Sequence, residues 1–323
     1  MTQKKERYTI YEWCIENISE LEEWLRPYLS INANEENIPN NRNYIPSSEN
    51  TRILYRGLSK EEYKLQSTLE RRIEKELCPQ ITDRQVSRSM FNRIMNEHLS
   101  NCKKLFRGKI PEQYILLDPK YDNELWAIGQ HFGLETPFLD WSTSPLIALF
   151  FAFEKQNEKI CPDPNDKKHQ EKQDKYNKEN KYRVVFELRR PQPQNITDEE
   201  YINLIHPKID IGGRINAQKG VFTNLLYSEL LEKVAIWDNK NSSCMIWDSK
   251  NNEHQKMFGS SLVKIKINAD LRPHIMQYLN KYNINHSTLF PDITGAIKNC
   301  STLLNNTLEL DELSDYLVIK NEE

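Results

Sequence analysis

The run Pro145 to Phe153, P-L-I-A-L-F-F-A-F, is the most apolar stretch of an otherwise strongly polar chain, and a cluster of reactive polar side chains leads straight into it. A helix that is apolar on every face has to be central core, so whatever precedes it is delivered to the middle of the fold. The whole stretch from Trp126 to Phe153 carries Gln130, His131, Thr136, Asp140, Ser142, Thr143 and Ser144. Ser144-Pro145 reads as a helix start, because a serine hydroxyl can accept from the first free N–H groups and proline tolerates the first helical position. Gly129 and Gly133 flank His131 where a helix end or a close backbone approach is expected. Residues 140 to 144 then form a strand or loop that brings polar groups to the N-terminus of a buried helix, where free N–H groups favour anionic ligands.

At 323 residues the chain has room for one large domain or two small ones. Its longest apolar run is about half of the roughly 20 residues that a membrane-spanning helix needs, and the start Met-Thr-Gln-Lys-Lys-Glu-Arg is not a secretory signal. A formal net charge of -3 excludes a general polyanion binder and leaves a local basic groove open. The six cysteines are scattered without metal-ligand spacing, which points to a reduced, cytoplasmic protein and to no metal site.

In chain order, Tyr11, Ile15, Ile18, Leu21, Trp24 and Leu25 recur at helical spacing and predict a helix over 9–29, ending near Pro27. Residues 31–50, rich in Asn, Pro, Ser and Glu, read as a loop. Ile53-Leu54-Tyr55 reads as a short strand ending at Arg56-Gly57. A helix is expected over 83–107, with Val86, Met90, Ile94 and Leu105 in the core. The charged run 155–182 lacks aliphatic residues and reads as an insertion. The fold resumes with a strand over 183–188, an apolar segment at 234–237, an alternating strand over 262–267 and a helix over 271–282. Strands and helices mix without a regular βαβ rhythm or a G-x-G-x-x-G turn. The fold class is therefore α+β, a mixed, mainly antiparallel sheet with flanking helices.

Five ordered motifs give these residues a family resemblance. G-Q-H-F-G-L-E-T-P-F-L-D-W-S-T-S-P-L-I-A-L-F-F-A resembles the central motif of the FRG domain, and Tyr55-Arg56-Gly57 is similar to the aromatic-Arg-Gly tripeptide that names the family. L-Q-S-T-L-E-R-R (65–72) resembles its following motif, R-I-N-A-Q-K-G-V-F-T (214–223) a later one, and H-S-T-L-F-P-D-I-T-G-A-I (286–297) the closing one. The resemblance implies three regions: a helical segment and loop at 1–50, an FRG domain at 51–300 interrupted at 155–182, and a tail at 301–323.

A second resemblance carries chemistry. An aromatic-Arg early in the chain, then Ser142-Thr143-Ser144, then Gln218-Lys219-Gly220 follow the Arg, Ser-Thr-Ser and E-x-E order of the arginine-type ADP-ribosyltransferases. It implies an ADP-ribosyltransferase-like architecture with NAD as cofactor, and the FRG resemblance implies a toxin or phage-defence setting. Arg56 would hold phosphate or ribose, with Gly57, Gln130, Thr136, Ser142, Thr143, Ser144 and Arg214 lining the cofactor site and His131, Asp140 and Gln218 acting in catalysis. A glycine stands where the catalytic glutamate is expected, so Asp140, Glu187 or Glu229 would have to substitute.

Structural readings stand beside these. Arg56 pairs with a carboxylate beside a turn, Asp140 caps loop amides, His131 donates within the core, and Ser142 to Ser144 end a strand and cap a helix. Trp141, Phe138, Phe150 and Phe151 are core. Three functions remain open: an NAD-using or nucleotide-binding enzyme acting on a macromolecular acceptor, a hydrolase or nuclease using His131 and Asp140, and a non-catalytic module that senses a ligand or phage component. Nucleic acid stays open as a partner. On the shared-site reading Arg56, His131, Ser142 and Gln218 converge on one pocket.

Overall fold

The computed structural model describes residues 10–29, 53–77, 86–156, 175–176, 179–189, 202–240, 244–248, 253–257 and 262–309. Its centre is a six-stranded sheet in the order β1-β8-β4-β2-β3-β5, built from β1 (Tyr11–Ile15), β2 (Ile53–Leu58), β3 (Leu139–Ser142), β4 (Tyr182–Arg189), β5 (Gly220–Thr223) and β8 (Leu262–Asn268). Only the β1–β8 pair is parallel; the other four are antiparallel, which makes the fold α+β. A separate hairpin pairs β6 (Cys244–Asp248) with β7 (Glu253–Met257).

Alternation along the strands divides the core in two. Ile53 and Tyr55 pack with α1 (Ile18–Leu29), α5 (Pro145–Phe153) and α8 (Arg272–Lys281). Leu54 and Leu58 pack instead with Val184, Leu188 and the α7 (Tyr227–Lys240) residues Leu230 and Val234. The predicted central helix is α5, with eight of its nine residues buried. It lies directly on β2: a Cβ on Gly57 would stand 1.8 Å from the Ala148 carbonyl oxygen and 2.7 Å from the Ala152 nitrogen. Glycine at 57 is therefore what lets helix and strand touch backbone to backbone.

Several expectations need correction. The helix expected from residue 9 begins at Ile18, and Tyr11–Ile15 is a strand. Both readings share those apolar positions, and the strand wins because β8 offers a parallel partner from Tyr11↔Val263 to Ile15↔Ile267. The α1 helix ends at Leu29, two residues after Pro27, as expected. β2 continues through Arg56 to Leu58, which puts the arginine inside a strand. In α3 (Arg88–Leu105), capped by Ser87, the buried residues are Phe91, Leu99 and Cys102, while Met90 and Leu105 are exposed. Val86 and Ile94 are partly buried against Phe91. The segment 234–237 belongs to α7. The helix α10 (Ile293–Glu309) is the last described element. Most of the charged run 155–182 and residues 310–323 lie outside the described residues.

Two helices prepare the site. The helix α4 (Asp122–His131) ends in the left-handed Gly133, φ 89°. There Leu134 N donates to Gly129 O at 2.9 Å and Gly133 N to Gln130 O at 3.1 Å, a Schellman closure. Leu134 folds back over Gly129, where a Cβ would meet its side chain at 2.5 Å, so both glycines serve this turn and fix the direction of Gln130 and His131. At the other end of the motif α5 starts after Ser144, as expected. Its hydroxyl makes no capping bond, however, and the Ser144 amide donates to Ser142 Oγ at 3.1 Å.

Candidate functional site

β3 has four residues and turns at once into α5, so it pairs with β2 at a single position, Tyr55↔Ser142. Beyond that pair β2 runs on beside β4 alone, and its edge from Arg56 to Leu58 faces a cleft instead of a strand. The cleft has a volume of about 750 Å³, within the range of small-molecule sites. Arg56, His131, Ser142 and Gln218, far apart in sequence, all line it, as do Gly57, Gln130, Asp140 and Arg214. Thr136, Thr143 and Ser144 do not.

The polar groups at its centre form one chain. Thr136, fully buried, donates its amide N–H to Thr68 Oγ1 at 2.9 Å and its hydroxyl to Gln130 Oε1 at 2.6 Å. Thr136 is therefore locked from both ends. Gln130 Nε2 then reaches Asp140 Oδ1 at 3.4 Å, and Arg56 Nη1 meets both Asp140 Oδ1 and the Asp140 carbonyl at 2.6 Å. Thr136 is thus a support for Gln130 and not a ligand contact. Desolvation in the cleft opposes the Asp140 charge, but Arg56, and more weakly Arg71, outweigh it and hold the carboxyl below its ordinary pKa. Arg56 Nε is buried with no partner among the described residues.

His131, in the last turn of α4, is half-buried; desolvation and then the Arg214 charge lower its pKa, so the ring is neutral at neutral pH. No hydrogen bond joins it to Asp140 among the described residues. A carboxyl kept ionised by an arginine is also a poor proton donor, which weakens the reading of these two as an acid–base pair. Arg214 is committed to architecture: it donates to His131 O at 3.1 Å and to Asp292 Oδ2 at 2.6 Å, and its guanidinium lies 5.1 Å from the Phe290 ring centroid. Gln218 Nε2 donates to Leu289 O at 3.1 Å, while Ser142 Oγ donates to Gln218 O at 2.8 Å. Both residues therefore tie the later motifs to the central one, with Lys219, in the left-handed region at φ 48°, accepting from Thr143 N.

Of the substitute acids expected from sequence, Glu187 and Glu229 lie elsewhere. Glu187 is buried beneath α1, where Trp24 Nε1 donates to it at 2.8 Å and Arg189 pairs with it at 2.8 Å. Glu229 pairs with Arg88 in the first turn of α7. The carboxylates that line the cleft are Glu62, Asp140 and Glu154. Glu154 and the cleft residues Gln66 and Arg71 were missed as site residues, although Gln66 and Arg71 belong to the L-Q-S-T-L-E-R-R motif. No group of three or more His, Cys, Asp or Glu side chains suited to a metal occurs among the described residues. None of their helices is long and apolar enough to cross a membrane.

Comparison with known proteins gives a single positive finding: the FRG domain family model matches residues 51–160. No curated protein and no solved structure matches the chain. The matched span holds the tripeptide at β2, the Gln66–Arg71 segment and the whole of the β3–α5 unit, so residues at the centre of the cleft lie within the part of the chain that is similar to the FRG domain.

Proposed function

We propose that the cleft binds a nucleotide, NAD foremost, by its phosphates. The observation that carries this reading is the meeting of Arg56 and Arg71 in one cleft with a single carboxylate, Asp140, between them. Although much of the Arg71 side chain is exposed, its guanidinium is partly desolvated and feels the Arg56 charge, and both lower its pKa. An entering polyanion relieves that repulsion. In the transferase-like form of this reading the bond from ribose C1′ to nicotinamide breaks, its electron pair leaves with nicotinamide, and a carboxylate faces the resulting oxocarbenium ion. Water or a macromolecular acceptor then adds at C1′ and gives up its proton.

A second reading, binding without turnover, is favoured by the engagement of Gln218 with Leu289 and by Gly220 at the position of the missing glutamate. Calorimetric titration with NAD, ADP-ribose and ATP, beside an assay for nicotinamide release with and without cell lysate, tests both. Binding with release supports the enzyme, binding without release supports the module, and no binding at millimolar concentration sinks the nucleotide reading altogether.

A further inference from the structure

Three carboxylates line the cleft, and their surroundings differ. Asp140 is held by Arg56 and Gln130. The Glu62 side chain is 66 % exposed with a distant lysine partner at 3.9 Å. Glu154 is instead built in: its side chain is 20 % exposed, and Oε2 lies 3.0 Å from His286 Nε2. That imidazole is 8 % exposed, packs edge-on to Phe150 at 4.9 Å between centroids, and is backed at Nδ1 by Thr302 Oγ1 at 3.2 Å. Glu154 stands at the C-terminal end of α5, where the helix dipole disfavours an anion, so helix stability does not explain it. The surrounding backbone is tied down by two arginines. Arg272 donates to Phe153 O at 2.9 Å and to Glu154 O at 3.3 Å, and Arg183 joins the carbonyls of Ser59 and Lys155.

We propose that Glu154, oriented by His286, is a second recognition point of the cleft, which accepts hydrogen bonds from the hydroxyls of the ligand's terminal sugar while the arginines hold its phosphates. This rests on the nucleotide reading and extends it, because Oε1 of Glu154 has no partner among the described residues and an ionised carboxylate can only accept. The ligand class becomes a nucleoside diphosphate that bears a second, hydroxyl-rich group, as ADP-ribose and NAD do and ADP does not. His286 acts through Glu154 as a positioning residue.

The test is calorimetric titration of the full chain and its Glu154→Gln and His286→Gln variants with ADP and with ADP-ribose, alongside a melting curve for each. The wild type is expected to prefer ADP-ribose over ADP. Glu154→Gln should lose about tenfold in ADP-ribose affinity with ADP affinity unchanged, a size typical of one charge-assisted bond. His286→Gln should move the same ratio in the same direction by a smaller factor. Equal affinity of wild type and Glu154→Gln for ADP-ribose, or an equal loss for both ligands, overturns the assignment and leaves the nucleotide reading standing. If the wild type binds neither ligand, the nucleotide reading itself has failed. Should Glu154→Gln melt too early to titrate, Glu154→Asp, which keeps the charge and withdraws it from the ligand, must show the same selective loss or the assignment falls.

Discussion

Arg56 spends one nitrogen on Asp140 at the edge of the cleft, and its two readings can be separated experimentally. As a structural ion pair it would leave an uncompensated carboxylate on removal, yet the Asp140 side chain is 52 % exposed to the cleft, so water can replace the arginine. Arg56→Lys is expected to keep the melting temperature within a few degrees and to weaken NAD binding by about 2 kcal/mol, roughly thirtyfold, through loss of the guanidinium fork. Calorimetry with a melting curve checks both halves. A second residue-scale prediction concerns Glu70, buried at 3 % exposure, which accepts from the Tyr227 amide at the start of α7. Burial raises its pKa from 4.5 to about 7, aided by the charge of Glu74 and opposed by the Tyr227 bond. Because the folded state then holds a proton that the unfolded state releases, this group's contribution to stability is full below pH 4.5 and is lost as pH rises to 7. Relative to Glu70→Gln, the wild type should lose on the order of 3 kcal/mol across that window, as read from urea midpoints at several pH values. Identical pH profiles for the two proteins would refute it. At this scale the tripeptide and the polar run before α5 were legible because they are unusual residue types beside an apolar block. Arg71 and Glu154 were not, since each looks like any charged residue of a polar chain until the fold turns it toward the cleft.

Elements that signal themselves locally were readable. β8 alternates, α8 has its period, and α5 is apolar throughout, so each announces its burial without knowledge of its partner. β1 was misread because a parallel edge strand depends on a partner some 250 residues away, as Tyr11↔Val263 shows, and because its apolar spacing also fits a helix. The β2–α5 contact is the element-scale feature that a single atom can test. A Cβ at residue 57 would lie 1.8 Å from a backbone oxygen, which no rotamer change relieves, so Gly57→Ala must push α5 off the sheet and distort the cleft edge. A loss of about 3 kcal/mol is expected, against about 1 kcal/mol for Gly133→Ala, where the positive φ is the sole obstacle and nothing lies within 4 Å. Chemical denaturation of the two variants decides the order, and a harmless Gly57→Ala would mean that helix and strand do not touch as described.

At the scale of the molecule, the family match and the folding unit have different extents. Residues 51–160 contain β2, β3, α3, α4 and α5, yet β2 and β3 share one pairing, while six positions of β2 pair with β4 and β3 pairs along its length with β5, both outside the match. A fragment of 51–160 therefore leaves most strand edges without partners and strips Leu54 and Leu58 of Val184 and Leu188. It is expected to show no cooperative melting transition. A fragment of 51–309 retains five of the six strands of the sheet but lacks β1 and α1, so the core loses Leu21, Trp24 and Leu25, which are 2–4 % accessible in the whole chain, and Glu187 loses its Trp24 donor. At roughly 1.5–3 kcal/mol for each large buried side chain, its midpoint should fall by more than about 10 °C without loss of cooperativity. Calorimetric scans of both fragments beside the full chain measure this. A sharp transition from 51–160 would show that the matched span is a self-sufficient domain, and an unchanged midpoint for 51–309 would show that the N-terminal strand and helix are an appendage and not a layer of the core.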